Sequence, residues 1–562
     1  RFPDINDILA FIPEKKIENY LLINNKESHF INGTKVAGMD QPSFSNGSAF
    51  ADLDADGDLD IIVNNIGEPA FIYRNDIRGR HWLQIDCSLN KGNTDGIGSR
   101  IDVYTGEEHQ AQTLMTNKGF FSSSEPILHF GLGDHTKIDS IILQWPDGTM
   151  EIQRDLAVDK RILWKRGTGD NYNKPFIPSK EKIFTPANSI PGWTHEEDLF
   201  VDFKREKLMP YMISREGPCI TVGDVNGDQL EDIYAGNGSG FASAFFIQQS
   251  DNNFVRQSGT SLENDAGYED CGAIIEDLDK DGDNDLMVIS GGNAFKLNDP
   301  GYMTRYYLND GKGNFNRSLD FPIIRTNAGA ILALDYDSDG DQDIIIGGRS
   351  TPGRYPESPK SYLLQNEKGR FKDVTLEVFK ELDHLGMITD IESGDLDGDQ
   401  RYEIVFAGEW IPITVFSYDG KIFRDKTESF ALTNTSGWWK SITIADIDGD
   451  QDLDLFAGNI GLNQRMVTSS EHPVTLITRD FDGNGSLDPI LSFYHNNKLY
   501  PFAGRDAVIG QVPRLKKKFV KYTPYSVATI NDIFSAEELK GSSTLKVNSF
   551  RTSYFINEGA KF

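Results

Sequence analysis

Short apolar runs closed by small or amide residues recur along the chain. IIVNN follows Asp60, IYAGNG follows Asp232, LMVISGG follows Asp285, IIIGG follows Asp343, IVFAGEW follows Glu403 and LFAGN follows Asp454. Runs this short, bounded by Gly and Asn, predict buried β-strands. A further strand and tight hairpin follow at FIYRN (71–75), YYLNDGKGNF (306–315) and SYLLQNEKGRF (361–371). Asn-Asp-Gly and Asn-Glu-Lys-Gly suit close links between antiparallel strands. Each run is preceded by an acidic turn, and four of the intervals between turns lie between 51 and 60 residues. That is about the length of one propeller blade. A lone four-stranded blade cannot bury both faces, whereas blades stacked in a ring can. The expected fold class is therefore all-β, a β-propeller; a linear solenoid is the alternative.

Between the first and second turns the pattern changes. HWLQIDCSLN (81–90), DGIGSRIDVYTG (95–106), LHFGLGD (128–134) and IDSIILQWPDGTMEIQ (138–153) predict a compact β domain over about 80–165. Alternation in IDSIILQW fits a half-buried strand, and PDG a hairpin turn. Residues 166–190 lack apolar periodicity and read as a linker. Residues 1–79 read as a blade region, part of an upstream or the same propeller, and 191–562 as a propeller. A partly helical insertion is expected at about 505–540, where Asp532 or Ser535 could cap a short helix. Its basic run, Lys516–Lys518, reads as a solvated helix face, with contact to a partner or acidic surface as the alternative.

The acidic turns have a fixed grammar. DLDADGDLD places Asp52, Asp54, Asp56, Asp58 and Asp60 in nine residues. Side chains at positions 1, 3 and 5 converge if the backbone turns around them, and glycine at position 6 permits that turn. The further copies offer Asp224, Asn226, Asp228 and Asp232; Asp277, Asp279, Asp281, Asp283 and Asp285; Asp335, Asp337, Asp339, Asp341 and Asp343; Asp395, Asp397, Asp399 and Glu403; Asp446, Asp448, Asp450, Asp452 and Asp454; and Asp480, Asp482, Asn484 and Asp488. All seven keep an oxygen-bearing side chain at positions 1, 3, 5 and 9. Hard oxygen ligands in this spacing point to Ca2+, up to seven ions. Gln229, Gln400 and Gln451 stand where glycine is usual, with Gly227, Gly398 and Gly449 two residues earlier as candidates for the turn.

Charge supports this reading. The net charge is −30, and the seven loops hold 31 of the 86 acidic residues. A large negative charge disfavours nucleic acid and anionic membrane as partners. No run of 18 apolar residues predicts a spanning helix, and no stretch reads as a signal peptide. Three cysteines, Cys87, Cys219 and Cys271, make no disulfide framework and read as buried thiols, with a Cys219–Cys271 bridge as the alternative.

Two clusters outside the repeats are candidates for chemistry. His195, Asp198, Asp202 and Glu206 recur at steps of three and four and would share one face of a helix. They read either as a hydrolytic metal or acid–base site, or as a closing segment paired with Lys204, Arg205 or Arg215. Trp410, Trp438, Trp439, Asn459, Asn463, Arg479 and Arg505 sit beside apolar strands and are candidate ligand contacts near one end of a central channel. Core packing is the competing role of the tryptophans. No catalytic residue is assigned.

These motifs together resemble FG-GAP/VCBS repeat proteins joined to an ASPIC/UnbV domain. The β domain carries the likeness in NNIGEPAFIYRN (64–75), HWLQI (81–85), DGIGSRIDVYTG, LHFGLGD and WPDGT (145–149). The second half is similar to long surface or secreted members of Bacteroidetes-type bacteria, through HEEDLFVDFKREKLMPYMISREGP (195–218), AGEWIP, SGWWKSI and GNIGLN. The resemblance implies integrin-like propeller blades with Ca2+ in the loops, and a location outside the cell or on the outer-membrane surface, with lipid anchoring left open. It also implies a chain trimmed at both ends. The expected function is a calcium-binding binding or scaffold protein for protein, peptide or glycan partners, including an outer-membrane complex. The alternative is a secreted or surface hydrolase or lyase working in the propeller groove.

Overall fold

The structure is a computed structural model that describes residues 15–24, 29–172, 192–257 and 261–562. It divides into two compact units, Arg1–Thr185 and Pro186–Phe562.

The first unit holds a three-stranded blade and a small β domain. The blade pairs Ser45–Ala51, Asp60–Asn65 and Phe71–Tyr73, with the first acidic loop in its first turn. The β domain has a three-stranded sheet (Ile127–Gly133, His81–Ser88, Lys160–Lys165) and a five-stranded one built on Met150–Ala157, Lys137–Gln144, Arg100–Thr105 and Glu108–Thr113. Alternation places Ile138, Ile141 and Leu143 in a core with Leu83, Ile85, Ile101, Val103 and Phe130. The fifth strand, Asp170–Asn171, pairs with Glu151 and Ile152. The start of the tract read as a linker thus lies against this sheet, and its residues 173–190 lie outside the described ones.

The second unit contains five blades in chain order, each opened by an acidic loop between its first two strands. Their first strands are Ile220–Gly223, Asp270–Glu276, Ala328–Leu334, Met387–Gly394 and Trp439–Ala445, lying side by side in that order. The second strands of the middle three blades, Asp285–Ser290, Asp343–Gly348 and Glu403–Glu409, are buried at every residue. Stacking covers both faces, so uninterrupted apolar runs replace alternation. At about 1.5–3 kcal/mol per fully buried large side chain, this burial is the main force holding the blades together.

A repeated polar clip joins neighbouring blades. Asn309 and Asn557 follow the third strands of their blades, and Asn366 lies near the end of its own, Tyr362–Glu367. Each donates its side-chain amide to a carbonyl in the loop of the preceding blade: Val225 at 2.8 Å, Leu278 at 2.8 Å and Leu396 at 2.7 Å. Each also donates its backbone N–H to the position 9 carboxylate of its own loop, Asp285, Asp343 and Asp454.

The fifth blade is interrupted. Its third strand, Ser553–Phe555, pairs with Asp454–Asn459 across an insertion of residues 460–552. The insertion carries its own four-stranded sheet, with Val474–Arg479 and Asp488–His495 around the seventh acidic loop. It also carries short helices at Arg505–Gln511, Tyr522–Ser526, Ile530–Ile533 and Ala536–Leu539. Ser535 caps the last of these and Thr529 the one before, each in a reciprocal capping box. The helices bury Val508, Val512, Leu515, Ile530, Ile533 and Phe534 against Phe481 and Ile490.

Candidate functional site

The seven acidic loops share one backbone shape. Positions 4 and 6 both take positive φ in every copy: Ala55 and Gly57, Gly227 and Gln229, Lys280 and Gly282, Ser338 and Gly340, Gly398 and Gln400, Gly449 and Gln451, Gly483 and Gly485. The glutamine copies therefore move the glycine from the second such position to the first. Gln229, Gln400 and Gln451 adopt the left-handed conformation themselves, at φ of 68°, 70° and 80°. The position 1 carboxylate accepts the position 6 N–H in all seven copies, as in Gln229 to Asp224 at 2.8 Å and Gly340 to Asp335 at 2.9 Å. The position 5 side chain accepts the position 7 N–H in all seven.

This turn brings carboxylates together. In the loops at 52, 277, 335 and 395 the side chains of positions 1, 3 and 5 each bring one oxygen within 4.8 Å of the others; at 446 the group is Asp446, Asp448 and Asp454. Oxygens about 2.3–2.6 Å from a shared Ca2+ lie no more than about 5.2 Å apart, so this spacing is compatible with one ion. Among the described residues, buried oxygens without a partner occur in four of the acidic loops, at Asp58, Asp277, Glu403 and Asp482. Burial, with nearby carboxylates adding to it, pushes Asp285 up to about 6 and Asp343 and Glu403 up to about 7. The donor set thus fits a hard divalent cation, which would neutralise the charge concentrated there.

Two of the candidate ligand positions also make other contacts. The position 9 acids are fully buried, and in six loops they accept the position 2 N–H of their own turn. They are staples of the blade as well as ligand candidates. The position 7 side chains take no part in the groups above, and Asp341 pairs instead with Lys280 of the preceding loop at 2.8 Å.

A second site lies where the first strands of four blades begin. A cavity of about 590 Å3 is lined there by Glu269, Cys271, Gly329, Thr389, Trp438 and Lys440, with Arg349 and the segment Tyr211–Pro218 over it. Arg349 grips Glu216 through two bonds of 2.8 Å and Glu409 at 2.7 Å. Lys440 also reaches Glu409 at 2.8 Å and Tyr211 at 2.9 Å. Burial works against ionisation of Glu216, but Arg349 and Lys440 hold it below the usual carboxylate range. Glu269 has the opposite fate. Burial, then the carboxylates of Asp198, Glu197, Asp202 and Glu216, push it up to about 9.

The acidic segment before the cavity forms no helical face. Its one regular element is a single turn, Asp202–Lys204. Asp202 accepts from Ser214 and from Asn293 at 2.8 Å, and Glu206 accepts the N–H groups of Gly353 and Tyr355 at 3.1 and 2.9 Å. His195 pairs with Glu197 at 2.8 Å. These acids clamp the segment to the second and third blades.

Of the seven candidate ligand contacts, Trp438 alone lines the cavity. Trp410 is buried and donates to Tyr355 Oη at 2.9 Å, and Trp439 is core, donating to the Thr435 carbonyl. Asn459 holds the Ser549 carbonyl, and Asn463 is exposed. Arg479 and Arg505 close backbone carbonyls of the inserted helical segment, at Glu538 and Lys540 and at Phe519 and Val520. The insertion carries one acidic loop, but the helical segment that holds both arginines has no repeat pattern, so their spacing could not reveal this. Glu216, Glu269, Arg349, Glu409 and Lys440 were not anticipated, because they come from separate blades and share no local motif. The cysteines are free thiols.

Comparison with known proteins agrees with this architecture. Residues 89–171 match the family described as ASPIC and UnbV, and residues 277–346, 335–406 and 395–457 each match an FG-GAP-like repeat. The chain carries an ASPIC/UnbV domain and FG-GAP-like repeats. The ASPIC/UnbV match falls within the small β domain, and the FG-GAP-like repeats run from the loop of one blade into the next. Cartilage acidic protein 1 of Mus musculus is 28% identical over 119 residues, 20% of this chain and 18% of that protein. The Homo sapiens protein is 28% identical over 116 residues, 20% and 17% of the two chains. The match thus spans under a fifth of these relatives. Among solved structures, a fucose-specific lectin from Aleuria aurantia aligns with 73% of this chain and 94% of its own, at 8% identity and a TM-score of 0.28. BBS1N in complex with ARL6DN aligns with 74% and 89%, at 10% identity and a TM-score of 0.25. Likeness of this degree carries no argument about ligands. Among the described residues no helix is long and apolar enough to cross a membrane.

Proposed function

We propose that this FG-GAP-like repeat protein is a calcium-stabilised binding or scaffold protein that acts outside the cell or on its surface, on protein, peptide or glycan partners. The observation that carries the reading is the common turn of seven loops, which gathers three carboxylates in each of the loops at 52, 277, 335, 395 and 446. Asp52, Asp54 and Asp56, and their counterparts in the other loops, would hold the ion. Bound Ca2+ would supply the positive charge that lets these acids sit together, and so fix the first turn of each blade. Loops of this kind reach modest affinity where calcium is millimolar, which favours an extracellular or envelope location.

Calcium that binds only the folded state stabilises by mass action, about 2.7 kcal/mol per site at a hundredfold excess over Kd. Thermal melting in EDTA and in excess Ca2+ tests the reading. The expected result is a large rise in Tm with Ca2+, reduced by Asp279→Ala. Melting indifferent to both chelator and Ca2+, with no stoichiometric metal by elemental analysis, would refute it.

A further inference from the structure

Glu269 has a buried carboxyl that the chain does not satisfy. It is 8% exposed and stands on the wall of the 590 Å3 cavity. Among the described residues no donor reaches its Oε2. Buried carboxyls are ordinarily paired, because losing water without a replacement bond is costly. The carboxyl packs directly against Gly292, where a Cβ would meet its atoms at 2.0–2.4 Å, so only glycine there lets it sit at this place.

The surroundings define the missing partner. The carboxylates that act on Glu269 are those of Glu197, Asp198, Asp202 and Glu216. These groups have other partners: Glu197 holds His195, Asp198 accepts the Phe200 N–H, Asp202 holds Ser214 and Asn293, and Glu216 holds Arg349 and Lys440. They supply a negative field without converging as ligands. A hard divalent ion, which takes about 6–8 oxygens, is poorly served by such a set, whereas an ammonium has only three donors to place. Two donors of residues that line the same cavity are also without partners among the described residues, Trp438 Nε1 and Arg349 Nη1. They call for an oxygen acceptor.

We propose that this cavity binds a small ligand through a primary ammonium on Glu269 and an oxygen on Trp438 and Arg349, the pairing that the amino-terminal residue of a peptide presents. The proposal deepens the reading of the chain as a binding protein and does not depend on its calcium loops.

The test is calorimetric titration of the full chain, in saturating Ca2+, with dialanine, N-acetyl-dialanine, glucosamine and N-acetylglucosamine. Saturable binding of dialanine is expected, weakened at least tenfold by N-acetylation and by Glu269→Gln, and severalfold by Trp438→Phe. Equal binding of free and acetylated forms, or no binding of either amine, overturns the proposal. Glucosamine binding without dialanine binding keeps the ammonium site and overturns the peptide assignment. If Glu269→Gln fails to fold, the comparison of free and acetylated ligands on the unaltered chain still decides. A chain indifferent to Ca2+ that binds dialanine would defeat the calcium reading alone.

Discussion

Two buried glutamates, one in each unit, show how the same side chain serves opposite ends. Glu151 lies in the core of the ASPIC/UnbV domain and accepts four hydrogen bonds. The indoles of Trp145 and Trp164 each donate at 2.9 Å, and the N–H groups of Gly167 and Gly169 donate at 2.8 and 2.9 Å. Burial raises the energy of its charge, yet these donors hold it below the usual carboxylate range. Glu269 has comparable burial with no such set of donors, and its carboxyl is pushed up to about 9. A buried acid whose acceptors are filled by the chain is part of the fold. One left open on a cavity wall is available to something that is not part of the chain.

The contrast can be broken most strongly at Glu151. Glu151→Ala removes one carboxylate and strands two indole and two backbone donors, each costing about 1–3 kcal/mol when left unpaired. A loss on the order of 4 kcal/mol is expected in urea denaturation followed by tryptophan fluorescence. Glu269→Gln should do the reverse. With no ammonium beside it, Glu269 holds its proton in the folded chain up to about pH 9, while the unfolded group releases it near 4.5. Stability therefore falls as pH rises through that window, by at most about 1.4 kcal/mol per pH unit. The glutamine variant escapes this and should exceed the parent by about 2 kcal/mol at pH 7, with parity near pH 4. Glu151→Gln should show the opposite trend, its deficit shrinking as pH falls below the usual carboxylate range. Chemical denaturation across pH checks both.

Asn366 belongs on the satisfied side of the comparison. Its amide donates to Leu278 and Gln342, and its oxygen accepts from Gly369. Asn366→Ala should cost about 2 kcal/mol, read as a lower Tm, with Asn557→Ala behaving alike. The smallest effect is expected at His195, whose side chain pairs with Glu197 and lies tilted against the Trp193 ring. His195→Ala should change stability by no more than about 0.5 kcal/mol.

Much of the blade architecture is legible along the chain. Asp at alternate positions and an apolar run closed by Gly or Asn are local patterns, and a tight turn or a strand is a local structure. IIIGG after Asp343 becomes a strand buried at every residue, and the asparagine of LLQNE becomes the clip to the preceding blade. The charged spacing of His195, Asp198, Asp202 and Glu206 suggests a helix, but the partners that decide their conformation are Asn293, Gly353 and Tyr355, about 90–150 residues away. Periodicity within thirteen residues carries no information about those partners. Likewise Trp438 and Trp439 are adjacent in sequence, yet one reaches the cavity and the other the core, because neighbouring strand residues face opposite ways.

The order of residues was enough to specify the turns, the strands they separate and the oxygen-rich loops, since each depends on atoms a few residues apart. Only the folded chain assembled the cavity, where Glu269, Arg349, Glu409, Trp438 and Lys440 arrive from four blades. It also decided that Ser553–Phe555 completes a blade begun before residue 460. Distant segments meet through packing, and which polar group is left without a partner is a property of that meeting.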